Sequence, residues 1–333
     1  MKQFLFPRVV EQAMSQSILI TGATSGLGFE AAKLFTRDGS RQVTVTGRTL
    51  DRSAEAAKTL STLTGSSSFE SVALDLSQPS SVSAAVETLA QRGDMFDVVL
   101  LNAGMMTGKE KEITPNGVEI TFASSLVGHH QLTMDLLAND LVAEGGRIII
   151  AGSEAARGDV PIMKLTGIDK VATDGFDGDL VAAAEAMIRG QVPTPYKSMN
   201  TYGNAKVFVA LWAAALARRL PRSITVNAVS PGAAPHTEMG RHSGFMMKKV
   251  MVPMMRAMPA FMGMGGETAT AARRYVDASK FSPDVTGSFF ASAPRKMSGP
   301  LQEMDYEHIN NEAFQEAAWE ATVNVSDRNY PSV

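Results

Sequence analysis

The chain has 333 residues, a length that allows one large domain or two smaller ones. Hydrophobic residues make up 44% and charged residues 20% of it, as in an ordinary globular protein, so disorder and coiled coil are disfavoured. The net charge of −3 gives no field that would hold a polyanion, which argues against nucleic-acid binding. Because the chain has no cysteine, disulfides, a thiolate nucleophile and cysteine metal sites are excluded, and a reducing compartment fits.

Residues 1–15 form a leader in which we find no recognisable chemistry. The only apolar run between Lys2 and Pro7 is Phe-Leu-Phe, so the apolar core of a signal peptide is missing. Met14 is a second candidate start, and the leader is either a foreign addition or a loose surface helix. The longest apolar run in the chain, 207–217, has 11 residues, fewer than the roughly 20 of a membrane-spanning helix. We therefore expect a cytoplasmic protein.

Short β-branched runs alternate with amphipathic stretches of helical length as far as residue 230, which is typical of βαβ units and a parallel sheet. The predicted strands cover residues 17–21, 42–46, 71–74, 97–101, 147–151, 223–228 and 287–291, and the main helical patterns cover 27–38, 51–63, 79–92, 117–140 and 201–220. The pattern predicts an α/β fold. We expect one doubly wound Rossmann-type domain over residues 16–333, with a seven-stranded parallel sheet and helices on both faces.

Two segments break this alternation. The first, 154–200, is an insert between a strand and its helix, and the second, 233–266, holds eight of the 20 methionines between Met246 and Met264. Both follow carboxyl ends of predicted strands, where open α/β sheets bind their ligands. Residues 292–333 form a C-terminal extension.

The first strand is followed by the sequence Thr-Gly-Ala-Thr-Ser-Gly-Leu-Gly, with glycines at 22, 26 and 28, and then by a helical pattern. Glycines permit a tight turn and let the backbone approach a pyrophosphate, whose charge the helix N-terminus stabilises. The G-x3-G-x-G spacing differs from the G-x-G-x-x-G fingerprint of other dinucleotide folds. Taken alone, it also fits an ordinary glycine-rich turn.

Other motifs follow at the ends of later strands: Asp75-Leu76, Asn102-Ala103-Gly104, Ser153, a helix that opens with Tyr202-Gly-Asn-Ala-Lys206, and Pro231-Gly232. Together with the glycine-rich turn, they resemble the short-chain dehydrogenase/reductase family over roughly residues 17–240. The resemblance implies a nicotinamide cofactor held by Gly22, Thr24, Ser25, Gly26, Leu27, Gly28, Arg48, Thr49, Asp75, Leu76, Asn102, Ala103, Gly104, Tyr202, Lys206, Pro231 and Gly232.

Tyr202 and Lys206 are four residues apart, so a helix places both side chains on one face. An ammonium beside a phenol favours the phenolate and lowers the tyrosine pKa from about 10, as a general acid/base requires. The resemblance implies that Tyr202 transfers the proton, that Lys206 also binds the nicotinamide ribose and that Ser153 holds the substrate oxygen. Without the other motifs, the two residues would be an ordinary surface pair.

The family's fourth catalytic residue, an asparagine, falls at Ser125, so this sequence departs from the family there. A serine hydroxyl cannot reproduce the combined donor and acceptor geometry of the amide. The departure is compatible with slow turnover, with a different proton relay through Lys206 and water, or with a different reaction.

The residues at the end of the second strand indicate the preference for NAD or NADP, since the ribose 2′ group of the cofactor lies there. NAD enzymes place a carboxylate at this point, whereas here Arg48 and Thr49 follow Gly47. A guanidinium matches a 2′-phosphate in two hydrogen bonds, which predicts NADP(H); the alternative is a solvated loop arginine. The resemblance gives Asp75 a hydrogen bond from the adenine amino group.

We expect no metal. His129 and His130 are adjacent, so on a helix their side chains diverge by about 100°. His236 and His242 have no carboxylate pair at a known metal-binding spacing.

Within the family, the chain looks most like the branch of retinol dehydrogenases and light-dependent protochlorophyllide reductases. The resemblance rests on Thr-Pro-Asn-Gly-Val-Glu at 114–119, the insert 154–200 and the tail with Gly287-Ser-Phe-Phe-Ala-Ser and Trp319-Glu320. It implies that 233–266 is a lid over the nicotinamide; a core helix, a subunit interface and a peripheral membrane contact are the alternatives. The cysteines of the photochemical branch are absent.

Three functional hypotheses follow. The leading one is an NADP(H)-dependent oxidoreductase that exchanges hydride with a bulky apolar carbonyl or alcohol, a small-molecule substrate. The second is a light-dependent reductase of a conjugated C=C bond that uses NADPH. The third is a catalytically impaired NADP(H)-binding sensor or scaffold. A homo-oligomer is compatible with each, and the sequence names neither the substrate nor the direction of the reaction.

Overall fold

A computed structural model describes residues 15–192, 194–233 and 268–331. Its strands are β1 (Ser17–Ile20), β2 (Gln42–Gly47), β3 (Phe69–Ala73), β4 (Phe96–Leu101), β5 (Val142–Ala151), β6 (Thr225–Val229), β7 (Phe289–Ala291) and β8 (Gln302–Glu303). They form one sheet in the order β3-β2-β1-β4-β5-β6-β7-β8. The first seven are joined in parallel, and β8 pairs antiparallel with β7.

The expected number of seven strands is therefore wrong, because the described residues already form a sheet of eight. Strand β8 consists of two exposed residues, Gln302 and Glu303. A polar strand of this length carries neither a hydrophobic run nor an alternation, so its sequence gives no signal. The parallel character expected from the sequence is confirmed for β1 to β7.

The helices are α1 (Gly26–Arg37), α2 (Leu50–Thr64), α3 (Pro79–Arg92), α4 (Ile120–Phe122), α5 (Gly128–Ala138), α6 (Ile168–Gly175), α7 (Leu180–Ile188), α8 (Ser198–Ala217), α9 (Thr268–Ala278), α10 (Glu307–Asn310) and α11 (Glu312–Ser326). The helix expected at 117–140 is interrupted. A π-helical turn, Ala123–Val127, lies between α4 and α5 and contains Ser125.

Helices cover both faces of the sheet, and the strands bury side chains on both sides. In β1, Leu19 belongs to the apolar cluster that includes α3, α5, α7, α8 and α11. Its neighbours Ile18 and Ile20 belong to the other cluster, with α1, α2 and α9. Successive side chains of a strand point to opposite faces, so this division is what a doubly wound sheet requires.

The insert 154–200 contributes α6 and α7 to the same helical layer as α8. Ala183, Ala184 and Met187 of α7 are buried in the cluster that includes Phe208 and Trp212 of α8. The methionine-rich segment expected to form a lid, 233–266, lies outside the described residues except for Ala233. In the described ranges, no helix combines the length and the hydropathy that a membrane crossing requires.

Candidate active site

A cleft of about 330 Å³ opens at the carboxyl edge of the sheet, where β1, β2 and β4 end. Turns and loops that leave these strands supply its walls. The lining residues are Gly22, Thr24, Ser25, Gly26, Leu27, Thr46, Gly47, Arg48, Arg52, Leu74, Asp75, Leu76, Ser77, Asn102, Ala103, Gly104, Met105, Met106, Ile120 and Ser124. The cleft thus contains most of the residues that the sequence assigned to a cofactor.

The glycine-rich turn packs closely against the end of β4. Gly22 has φ +64°, and a Cβ on it would lie 2.9 Å from the Cβ of Ala103. A Cβ on Gly28 would lie 2.6 Å from Nδ2 of Asn102 and 2.6 Å from the Gly22 carbonyl oxygen. Asn102 donates to the carbonyls of Thr21 (2.9 Å) and Gly22 (3.2 Å), so it locks this turn in place. The glycines leave the cradle of backbone that a pyrophosphate requires.

Two arginines lie where β2 ends. Arg48 and Arg52 both line the cleft, and sequence reasoning missed Arg52. Arg52 follows Arg48 by four residues and lies in the first turn of α2, and this spacing could have indicated that it lies near Arg48. Thr49 is the N-cap of α2, where its hydroxyl accepts a hydrogen bond from the Arg52 backbone N–H at 3.4 Å. The structure does not place Thr49 in the cleft wall, unlike its neighbour Arg48.

Asp75 lies at the far wall of the cleft, after β3. Its Oδ1 accepts hydrogen bonds from the N–H (3.0 Å) and the hydroxyl (2.7 Å) of Ser77. The carboxylate is thereby oriented, and Oδ2 has no hydrogen bond from this turn. Leu76 also lines the cleft and packs against α5, where a Cβ on Gly128 would collide with the Leu76 carbonyl oxygen.

Tyr202 and Lys206 lie one above the other on α8, and both are buried. Nζ of Lys206 donates to the Ala151 carbonyl at 2.6 Å and stands 5.7 Å from the centre of the Tyr202 ring. Burial lowers the pKa of Lys206 to about 8, so at pH 7 the ammonium still predominates. The lysine therefore carries a positive charge behind the tyrosine.

The expected lowering of the Tyr202 pKa is not what the structure gives. Burial raises the pKa of Tyr202, a hydrogen bond with Ser153 lowers it, and the charge of Glu154 raises it further. Lys206 faces the ring rather than the phenol oxygen and directs a hydrogen bond at Ala151, so desolvation dominates. Ser153 follows β5, and its hydroxyl also accepts the Ala155 N–H at 3.2 Å, which caps the short 3₁₀ turn Glu154–Arg157.

Ser125 and Lys206 both lie next to Gly104. An ideal Cβ on Gly104 would lie 3.1 Å from Oγ of Ser125 and 3.7 Å from Nζ of Lys206, so both atoms border the same small space. Ser125 is 1% exposed, and its Oγ has no hydrogen-bond partner among the described residues. Gly104 also lines the cleft, so it connects the cleft with the Lys206 site.

Pro231 and Gly232 lie after β6, away from the cleft walls. A Cβ on Gly232 would lie 2.9 Å from a guanidinium nitrogen of Arg274. Arg274 in turn bonds to Glu154, the residue after Ser153, at 3.3 Å in a buried ion pair. Neither residue's local sequence pattern indicates this pair.

The described part of the chain was also searched for side chains that could bind a metal ion. There, no group of three or more histidine, aspartate or glutamate side chains is arranged to hold a metal ion. His129 and His130 are both fully buried, and each hydrogen-bonds through both ring nitrogens. His236 and His242 lie outside the described residues.

The sequence profile of the short chain dehydrogenases matches residues 16–186, just over half of the chain. The chain belongs to the short-chain dehydrogenase family. Its relatives include the chloroplastic short-chain dehydrogenase TIC 32 A of Brassica napus, with 27% identity over 82% of this chain and 79% of the relative. Human retinol dehydrogenase 13 is 25% identical over 91% of this chain and 83% of the relative.

The chloroplastic protochlorophyllide reductase of Chlamydomonas reinhardtii is 30% identical over 74% of this chain and 62% of its own length. The neighbourhood of retinol dehydrogenases and protochlorophyllide reductases expected from the sequence is thus confirmed. Among solved structures, an uncharacterized protein from Mycobacterium paratuberculosis has a TM-score of 0.68, with 20% identity and 96% of each chain covered. A short-chain dehydrogenase from Burkholderia cenocepacia in complex with NADP has a TM-score of 0.58, with 21% identity over 84% of this chain and 96% of its own. These structures share the short-chain dehydrogenase fold.

Proposed function

We propose that this short-chain dehydrogenase uses NADP(H) to exchange hydride with a bulky apolar carbonyl or alcohol, with Tyr202 as the general acid/base. The observation that carries the proposal is the position of Gly104, which lines the cleft and also borders Lys206 Nζ. Gly104 thus places the cleft next to the buried Tyr202–Lys206 pair.

The residues of the cleft fit a dinucleotide. The close packing at Gly22 and Gly28 leaves backbone N–H groups and the N-terminus of α1 for a pyrophosphate. Asp75 would accept a hydrogen bond from the adenine amino group, and Arg48 with Arg52 would bind the 2′-phosphate. Lys206 would hold the nicotinamide ribose. When bound, the nicotinamide supplies or accepts the hydride.

The chain's own residues would manage the proton. Burial keeps Tyr202 a neutral phenol near pH 7, which suits the donation of a proton to a substrate oxygen. The Ser153 hydroxyl would hold that oxygen beside the phenol, and the charge of Lys206 would stabilise the phenolate as it forms. Ser125 Oγ, without a partner in the described structure, would bind a water that returns protons to Lys206.

The apolar character of the substrate is inferred from residues 245–264, whose thioethers and phenylalanines suit an adaptable apolar surface. The similarity to a protochlorophyllide reductase supports a second candidate, reduction of a C=C bond under light. Turnover in darkness and under illumination, with a hydrophobic ketone and with protochlorophyllide, separates the two. We also propose a cytoplasmic location, although three of the relatives are named chloroplastic.

The cofactor assignment is tested with Arg48→Ala. One charge-assisted hydrogen bond contributes about 1.5 to 3 kcal/mol, so Kd for NADPH should rise at least ~10-fold while Kd for NADH stays unchanged. Isothermal titration of both cofactors measures this. Arg222→Ala is the matched control, because Arg222 is an exposed arginine before β6, at the opposite edge of the sheet. Equal losses for NADPH and NADH would refute the role of Arg48.

A further inference from the structure

His129 joins three segments of the active site through buried hydrogen bonds. Its side chain is fully buried on α5. Nε2 lies 2.9 Å from Oγ1 of Thr21, and Nδ1 lies 3.2 Å from the carbonyl oxygen of Ser125. Oγ1 of Thr21 also accepts the backbone N–H of Ala103 at 2.9 Å. A single imidazole thus connects the π-helical turn, the end of β1 and the end of β4.

The chemistry of these partners determines the direction of every hydrogen bond. A carbonyl oxygen only accepts, so Nδ1 must carry the proton that is donated to Ser125. Nε2 is then bare and accepts from the Thr21 hydroxyl, which lies closer to it (2.9 Å) than to the Leu100 carbonyl oxygen (3.5 Å), and the oxygen of Thr21 accepts from Ala103. Burial and the nearby charge of Lys206 lower the pKa of His129 to about 3, so the ring is neutral over the whole working range.

The two ends of this connection lie at different parts of the site. Thr21 immediately precedes Gly22 of the glycine-rich turn, and its hydroxyl holds Ala103 in the cleft wall. Ser125 presents its Oγ to the space beside Lys206. We propose that His129 is a positioning residue: its Nδ1 side aligns Ser125 with Lys206, and its Nε2 side aligns the cofactor cradle. This inference rests on the proposed function.

Two substitutions separate the two sides of the ring. The amide of asparagine occupies the place of Nδ1 and can still donate to the Ser125 carbonyl, but it does not reach Thr21. Glutamine reaches the place of Nε2 and can accept from Thr21, but it leaves the Ser125 carbonyl without its donor. His129→Phe removes both hydrogen bonds.

His130 provides the matched control. It is equally buried and also uses both nitrogens, but its partners are Trp212 (2.9 Å) and the Arg328 carbonyl (2.8 Å), at the C-terminal tail. His130→Gln should lower the stability without changing kcat or the Kd for NADPH.

The experiment measures Kd for NADPH and kcat with benzil, a bulky apolar diketone, on the folded fraction of each variant. His129→Gln should keep Kd and lose about tenfold or more in kcat, since small misplacements at a reacting site have effects of this size. His129→Asn should keep kcat and weaken Kd, and Thr21→Val should reproduce that result. Equal losses of both quantities in Asn and Gln variants, or no loss in either, would overturn the proposal.

The tautomer of the wild-type protein gives a test that needs neither variants nor turnover. Nitrogen NMR of His129, one of only five histidines, should show the proton on Nδ1. A proton on Nε2 would overturn the inference. If the wild type binds no NADPH and does not reduce benzil, the proposed function fails, whereas the tautomer still reports on the hydrogen-bond connection itself.

Discussion

Replacing Glu154 by glutamine should destabilise the protein strongly, because Glu154 lies at the centre of a buried polar network. It is 2% exposed and bonds to Arg274 at 3.3 Å, to Ser230 Oγ, and to the N–H (3.2 Å) and Oγ (2.9 Å) of Ser292. Arg274 also donates to the carbonyls of Ser230 (3.0 Å) and Gly299 (2.5 Å). The network thus ties together the chain after β5, β6 and β7, directly behind Ser153.

The size of the effect follows from burial. Glutamine keeps the shape of glutamate but leaves the guanidinium of Arg274 without its counter-charge in an environment that excludes water. Removal of one partner of a buried ion pair costs about 3 to 5 kcal/mol. Urea unfolding followed by circular dichroism measures the change in the free energy of unfolding.

Glu316→Gln is the control. Glu316 pairs with Arg218 and Arg219, but its side chain is 33% exposed, so its loss should cost less than the loss of the Glu154 charge. A second variant, Glu154→Gln combined with Arg274→Met, removes the unpaired charge and should recover part of the stability. A loss for Glu154→Gln no larger than that for Glu316→Gln would refute the reasoning.

Two further outcomes are expected. Burial lowers the pKa of His130 to about 4 from 6.5; the unfolded chain therefore binds a proton that the native state does not, and stability should fall as pH drops from 6.5 to 4. Urea unfolding as a function of pH should show a smaller slope in this window for His130→Gln; an unchanged slope would contradict the assignment. Gly104→Ala should bring a methyl group to 3.1 Å from Ser125 Oγ, so steady-state kinetics should show a lower kcat while calorimetry shows nearly unchanged stability; an unaltered kcat would contradict the shared space beside Lys206.

The parallel strands could be predicted because buried β-branched runs carry their own signal. Ile18, Leu19 and Ile20 are fully buried, as a central strand covered on both faces requires. The interruption of the helix at Ser125 could not be predicted, since the π-helical turn has the same apolar pattern as the helix around it. The position of the motifs at the carboxyl edge of the sheet could also be predicted. Parallel strands all end at the same edge, so residues that follow these strands come together there.

Contacts between residues far apart in the chain could not be predicted from the sequence. Glu154 and Arg274 are 120 residues apart, and nothing in either local pattern names the other as its partner. The pKa of Tyr202 was also wrongly anticipated, because spacing gives the proximity of Lys206 but neither the burial of the phenol nor the hydrogen bond from Nζ to Ala151. Such terms depend on tertiary packing.

Single-turnover reduction of benzil by NADPH, with wild type and Tyr202→Phe compared at equal cofactor occupancy, tests the central claim most directly. The variant keeps the ring and its contact with Lys206 but has no proton to donate, so with NADPH bound to equal occupancy the rate should fall at least ~100-fold, as for the loss of a general acid. The same rate in both proteins would contradict the assignment of Tyr202 as the general acid/base.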